Sequence, residues 1–301
     1  MPLFHPLMRL DRLLTLGLVH PAIRVGARPG GRRVPILMYH GIRDGLGNRA
    51  PYFETNTSPA VFAAHVRFLR QNRYTAITLS QAMDYACGTV EFDSPVAITF
   101  DDGFTDFYTH ALPVLAANSF TATMFIVSDL VGTKPACFPD RECMKWSEIR
   151  EIQSAGIEIG SHTVSHPVLH RLCGAGLNRE LQNSKVAIED HLGCSVNSFS
   201  YPYAFPEHDK PFVQTLRSLL AECGYRNGVS TIIGTAGHSD DRFFLPRLPI
   251  NSHDDLKLLR AKLDGAYDWL HIAQLSYKSL IKRMSGATTL DSDAVRRGVT
   301  Q

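Results

Sequence analysis

Two adjacent carboxylates close an apolar run in "AITFDDGFTDFY", residues 97 to 108. Asp101 and Asp102 repel one another, and both lose hydration at the end of a strand that reads as buried. Such a pair is costly unless a cation or a proton relieves it. Sixty residues on, the strand-like "IEIG" runs into "SHTVSHPVLH". His162 and His166 stand four apart, a spacing that places both imidazoles on one face of a helical turn. Two neutral imidazoles and one carboxylate make a three-ligand site for zinc or a similar divalent ion, with positions left open for water and substrate. Asp102 would then be neutralised by the ion. Asp101 would be free to take the proton of a water attacking a carbonyl carbon.

These residues need strand ends to hold them, and the chain supplies strands at regular intervals. Short apolar runs at 34–40, 95–100, 121–127 and 157–160 read as buried parallel strands. Between them lie amphipathic helices: one capped by Ser58 with Pro59 in its first turn, one after Ser80, and one closed by Gly156. The segment at 178–193 reads as a polar-faced helix ended by Gly193. The run "RFFLPRLPI" carries two prolines and reads as an edge strand. Alternation at this pace means βαβ units around a parallel sheet. About seven units suit a distorted (β/α)7 barrel of the TIM type, with an open doubly wound sheet as the alternative. In either architecture chemistry sits at the C-terminal ends of strands, where Asp101, Asp102 and the two histidines fall.

Composition narrows the function. The 301 residues are 44% apolar and 20% charged, with 31 basic against 29 acidic side chains. That balance excludes the clustered basic excess of a nucleic-acid binder. No glycine-rich dinucleotide or phosphate loop follows any strand. Six scattered cysteines form no C-x-x-C pair and read as reduced thiols. The first 26 residues contain no uninterrupted apolar run long enough to span a membrane and no small-residue cleavage site, so a surface or interfacial helix is expected there. The chain is expected to be cytoplasmic or peripheral to the membrane.

"TFDDG" followed by "SHTVSH" resembles the polysaccharide deacetylase family, carbohydrate esterase family 4, known by its NodB homology domain. "SYPY", residues 200 to 203, resembles its third motif, and the opening strand "ILMYH" resembles a subgroup acting on exopolysaccharides. The resemblance implies a distorted (β/α)7 barrel, with Asp101 as catalytic base and Asp102, His162 and His166 as ligands of zinc, cobalt or nickel. It also implies that the backbone N–H of Tyr203 stabilises an oxyanion. The implied domain spans 34–254, after an N-terminal extension (1–33) and before a C-terminal helical tail (255–301).

The sequence departs from the family pattern at informative places. Ser200 stands where many members carry an arginine that hydrogen-bonds the catalytic aspartate, and Arg247 could cross-brace the site in its stead or form a surface salt bridge. Ala204 replaces a common glycine. The motifs that supply a Trp and a general-acid His are not plainly present, since "DWLHI" at 268–272 matches them in letters only. His40 and His253 are the candidates for acid or substrate contact. Trp146, with Tyr203 and Phe205, could wall a sugar ring, or pack structurally. The expected activity is metal-dependent removal of N-acetyl groups from N-acetylhexosamine units of a polysaccharide or its precursor. The alternatives are an O-acetyl esterase, a cyclic amide hydrolase, or a carbohydrate-binding protein without turnover.

Overall fold

The computed structural model describes residues 9–26, 31–45, 51, 54–138 and 140–275. Residues 1–8 and 27–30 of the N-terminal extension and 276–301 of the expected C-terminal helical tail lie outside them. Eight short strands build the central sheet: β1 (Ile36–Tyr39), β2 (Thr75–Ile77), β3 (Pro95–Phe100), β4 (Thr123–Ile126), β5 (Glu158–Ser161), β6 (Ser198–Ser200), β7 (Asn227–Ile233) and β8 (Leu245–Pro249). Every pairing among them is parallel. Seven close a ring in the order β1–β3–β4–β5–β6–β7–β8–β1, the distorted (β/α)7 barrel expected from the βαβ rhythm. The eighth, β2, pairs with the first half of β3 at 95–97. β4 takes over the same edge at Thr99 and Phe100.

The two prolines of β8 do not put it at an edge. β8 lies between β7 and β1, and the ladder accommodates Pro246 by breaking register. Leu245 pairs with Val229 but Arg247 with Ile233, so β7 bulges opposite the proline.

Helices cover the outside: α1 (Pro59–Gln71), α2 (Leu79–Ala86), α3 (Leu112–Ala117), α4 (Trp146–Ser154), α5 (Gly174–Leu192), α6 (Lys210–Glu222) and α7 (Leu256–Leu263). Ser58 caps α1 through Val61 N–H. The cap of α2 is Thr78 rather than Ser80: its hydroxyl accepts from Gln81 N–H while the Gln81 side chain accepts from Thr78 N–H. Ser80 instead donates to Glu158 at 2.8 Å, at the floor of the barrel. Gly193, with φ +65°, closes α5 in the left-handed conformation that glycine adopts freely. α7 and the chain after it pack on the barrel. Lys262 is buried, and its ammonium lies 3.0 Å from the equally buried Asp254.

Strand alternation decides what fills the ring. On β3, Val96, Ile98 and Phe100 turn outward into the helix layer, whereas Ala97 joins Ile36, Phe125, Val229 and Leu245 in a separate interior cluster. Thr99 and Asp101 continue the inward row above it, and Arg247 on β8 meets them there at 3.3 and 2.8 Å. Gly160 on β5 has no side chain because Phe125 occupies its place: a Cβ there would fall 2.5 Å from the Phe125 ring and 2.9 Å from the Ser198 carbonyl oxygen. Gly160→Ala is therefore expected to destabilise the fold by about 1–3 kcal/mol through overpacking, read as a lowered thermal midpoint. An unchanged midpoint would show that the Phe125 ring can move aside.

Candidate active site

Asp101 continues the inward row of β3, and its N–H donates to the Tyr39 carbonyl of β1 at 3.1 Å. At Asp102 the chain leaves strand geometry with φ +74°, followed by Gly103 at +72°, so the two neighbouring carboxylates diverge. A side chain at Gly103 would meet Ile126 at 3.2 Å, which keeps the turn tight against β4.

Asp101 is 2% exposed and held by Arg247, which is 1% exposed. The guanidinium grips both carboxylate oxygens at 2.8 Å, and Ser200 Oγ donates to one of them at 3.2 Å. The remaining guanidinium donors go to the Ser230 carbonyl (3.0 Å), Thr99 Oγ1 (3.3 Å) and Ser200 Oγ (3.1 Å). Five N–H groups meet five acceptors, as a buried guanidinium requires. Burial alone would push the Asp101 carboxyl up, but Arg247, with His162 and His40, more than reverses this and holds it well below the usual carboxylate range. The cation that a surface salt bridge would have taken outward is thus turned fully inward.

Asp102, His162 and His166 form the second half of the site, with one donor atom from each within 4.8 Å of the others. Both Nε2 atoms lie 3.5 Å from Asp102 Oδ1. Donors bound to one ion at zinc-type bond lengths sit roughly 3.4 Å apart, so the spacing fits a divalent cation. His162 Nδ1 is 2.8 Å from the Ser200 carbonyl, an acceptor only, so Nδ1 carries the proton and Nε2 is left free to ligate. Burial above all pushes the His166 imidazole down to about 4, so it is the neutral ring that a metal needs.

The two histidines do not share a helical turn. The loop between them is irregular, with Thr163 at φ +73° and His166 at +56°. Thr163 Oγ1 accepts from His166 N–H at 3.0 Å. Glu180 of α5 accepts from Val164 and Ser165 N–H, and the Thr163 carbonyl accepts from Ser128 N–H. Glu180 carries no local sequence signal, because its position on α5 reads as an ordinary polar face.

Of the other sequence candidates, His40 is in the site: it ends β1 with Nε2 3.8 Å from Asp101 Oδ2. Burial pushes its imidazole down against the opposing pull of Asp101 and Asp102. Tyr203 is half exposed at φ +59°, its ring 4.5 Å from that of His166, and none of the described residues accepts from its backbone N–H. Trp146 is not a wall of this site. It stacks on His191 at 4.0 Å, on the helix layer. Phe205 is buried against Phe244 and Tyr201. The His253 backbone bonds Asn251 and Arg9, and among the described residues no hydrogen bond or ion pair ties its ring to either aspartate. Within "DWLHI", Asp268 binds Thr235 and His271 pairs with Glu207. Phe138, unremarked in the sequence, packs on His166 with ring centroids 5.1 Å apart.

A sequence profile described as polysaccharide deacetylase matches residues 91–228. The chain is 30% identical over 220 residues to the Bacillus subtilis protein named "Putative polysaccharide deacetylase YxkH", covering 73% of this chain and 72% of that one. The chain belongs to the polysaccharide deacetylase family. It is also 22% identical over 250 residues to the poly-beta-1,6-N-acetyl-D-glucosamine N-deacetylase of Staphylococcus aureus (strain MSSA476), covering 77% and 83% of the two chains. Among solved structures, the Streptococcus pyogenes deacetylase PplD superposes with a TM-score of 0.68 at 22% identity, covering 78% of this chain and 99% of that one. In this deacetylase the inward arginine comes from position 247, and Ser200 accepts from it and donates to Asp101.

Removing that cation has a signed consequence. In Arg247→Met the Asp101 carboxylate is buried without its cation, keeping the Ser200 hydroxyl as hydrogen-bond donor. The fold should lose about 3–5 kcal/mol at neutral pH. Asp101 then titrates above its unfolded value instead of below it. The penalty is present at neutral pH and is relieved as pH falls toward the ordinary carboxylate range, while the native chain keeps its pair ionised. Melts at a series of pH values should show the gap between the two proteins closing on acidification; a pH-independent gap would exclude this origin.

Proposed function

We propose that this enzyme removes N-acetyl groups from N-acetylhexosamine units of an exopolysaccharide or its precursor, by metal-dependent hydrolysis. One observation carries the reading: two adjacent carboxylates are given separate duties, Asp101 to a buried arginine and Asp102 to two histidines. Asp102, His162 and His166 would hold the ion, with zinc proposed and cobalt or nickel able to substitute. Such an ion, when bound, polarises a carbonyl oxygen and lowers the pKa of a water. Asp101, kept ionised by Arg247, accepts the proton of the attacking water. Tyr203 N–H donates to the oxygen that becomes negative. His40, beside Asp101 at the rim, relays that proton from Asp101 to the departing amine. The substrate class is supported by the activity named for the Staphylococcus aureus relative.

The test is acetate release from N-acetylglucosamine oligomers by metal-stripped protein, with and without added zinc or cobalt. Release should return with metal and fall by about 10²–10⁴-fold in Asp101→Asn, with metal content unchanged. His162→Gln should instead lose the metal itself. Cleavage of acetylated xylan alone would make the enzyme an O-acetyl esterase. Inertness toward both substrates, with sugar and metal still bound, would make the chain a binding protein.

The role of His40 is separable. His40→Gln should slow amide cleavage by about 10²-fold and slow an activated aryl acetate far less, because phenolate leaves without a proton. Equal losses on both substrates would remove His40 from the acid role.

A further inference from the structure

The helical stretch from Leu10 to Arg24 leaves a second apolar stripe outside. A surface helix ordinarily turns its apolar stripe to the core and its charges to water. Here Leu16, Val19 and Ile23 pack inward beside Ala261 and Ala266, and several polar side chains face the body of the protein with them. Asp11 accepts from Arg9 at 2.7 Å and from the Tyr267 hydroxyl at 2.6 Å, and Arg12 pairs with Asp255. Thr15 is fully buried and accepts from Trp269 Nε1 at 3.1 Å, and His20 lies 3.0 Å from Asp264. The outward face carries Leu10, Leu13, Leu14, Leu18, Ala22 and Val25, at the i, i+3, i+4 spacing of a single stripe. Leu10, Leu13, Leu18 and Val25 are 60%, 52%, 66% and 91% exposed.

We propose that this stripe docks on a lipid bilayer carrying anionic headgroups, with the helix lying in the plane of the interface. The length excludes a span: about 15 residues of helix reach only some 22 Å, and no helix among the described residues is long and apolar enough to cross a membrane. The sequence before Arg9 continues the apolar character, with Leu3, Phe4, Leu7 and Met8 and no charged residue. Charge selects the headgroup. Residues 1–33 carry six arginines against one aspartate, leaving 25 basic and 28 acidic residues in the rest of the chain. Arg9, Arg12, Arg32 and Arg33 are paired with carboxylates, and the exposed Arg24 lies at the end of the stripe. A second copy seated on the same face would bring two such basic segments together, whereas an anionic surface satisfies the leucines and the basic excess. The helix also starts on the catalytic side of the barrel: Arg9 Nη1 is 3.4 Å from the His253 carbonyl, just past the C-terminal end of β8. Docking would hold the rim of the site near the lipid surface, whatever the acetylated substrate.

Flotation of the full chain with vesicles tests this. Native protein should float with phosphatidylcholine mixed with phosphatidylglycerol, and more weakly with phosphatidylcholine alone. Leu13→Glu combined with Leu18→Glu should cut partitioning by about 100-fold or more, with an unchanged thermal midpoint, because both side chains point away from the body. Failure of the native chain to float, or equal flotation of the variant, would overturn the proposal. So would a native dimer in light scattering that the same substitutions split. Equal flotation with neutral lipid would overturn the headgroup part.

Discussion

The pairing of Arg247 with Asp101 is the interaction on which the barrel's upper layer depends. Two charges are taken almost wholly out of water, and attraction repays that desolvation only where geometry is close and every donor is used. The five guanidinium bonds reach residues on β3, β6 and β7 from a side chain rooted on β8. One side chain therefore fixes the mutual position of four of the seven ring strands. Beneath it the ring is apolar, with Phe125 about a ring's breadth below the guanidinium (6.0 Å to the centroid). The charge layer thus sits on a dry floor, where electrostatic terms are strong.

Ser200 connects this layer to the other half of the site. Its hydroxyl serves Asp101 and Arg247, while its carbonyl fixes the tautomer of His162. A serine at the end of a short strand thereby sets the surroundings of the Asp101 carboxylate and the ring orientation of His162 together. Around it, Asp102, Thr163, His166 and Tyr203 all adopt positive φ, half of the eight non-glycine residues that do so among those described. Each such conformation costs on the order of 1–3 kcal/mol. Their concentration around one site means that the surrounding packing, including Glu180 and the Phe138 ring, holds a backbone that would otherwise relax.

Much of this was legible in the sequence because it depends on local pattern. Strand and helix alternate with periods of two and 3.6, and carboxylates at the end of an apolar run advertise a cation. What was not legible depends on where distant segments meet. The prolines of β8 read as an edge, because sequence does not show that β7 will bulge opposite them. H-x-x-x-H reads as a helical turn, because the carboxylate of Glu180 that unwinds it lies elsewhere in the chain. Trp146 offered itself as a sugar platform, yet its nearest partner is His191, 45 positions away. The first 26 residues read as a surface or interfacial helix, but only the folded positions of Tyr267, Trp269 and Asp264 show which of its faces is turned inward.

The delivery of the guanidinium from β8 has a consequence for what position 200 of this chain can hold. The inner layer has room and counter-charge for a single cation: one carboxylate, two hydroxyls and one carbonyl are already spent on Arg247. An arginine at position 200 would aim at the same carboxylate and displace the hydroxyl that bridges it. Positions 200 and 247 are therefore coupled across two strands: a second cation at 200 would find no counter-charge of its own, and loss of Arg247 would leave Asp101 without one.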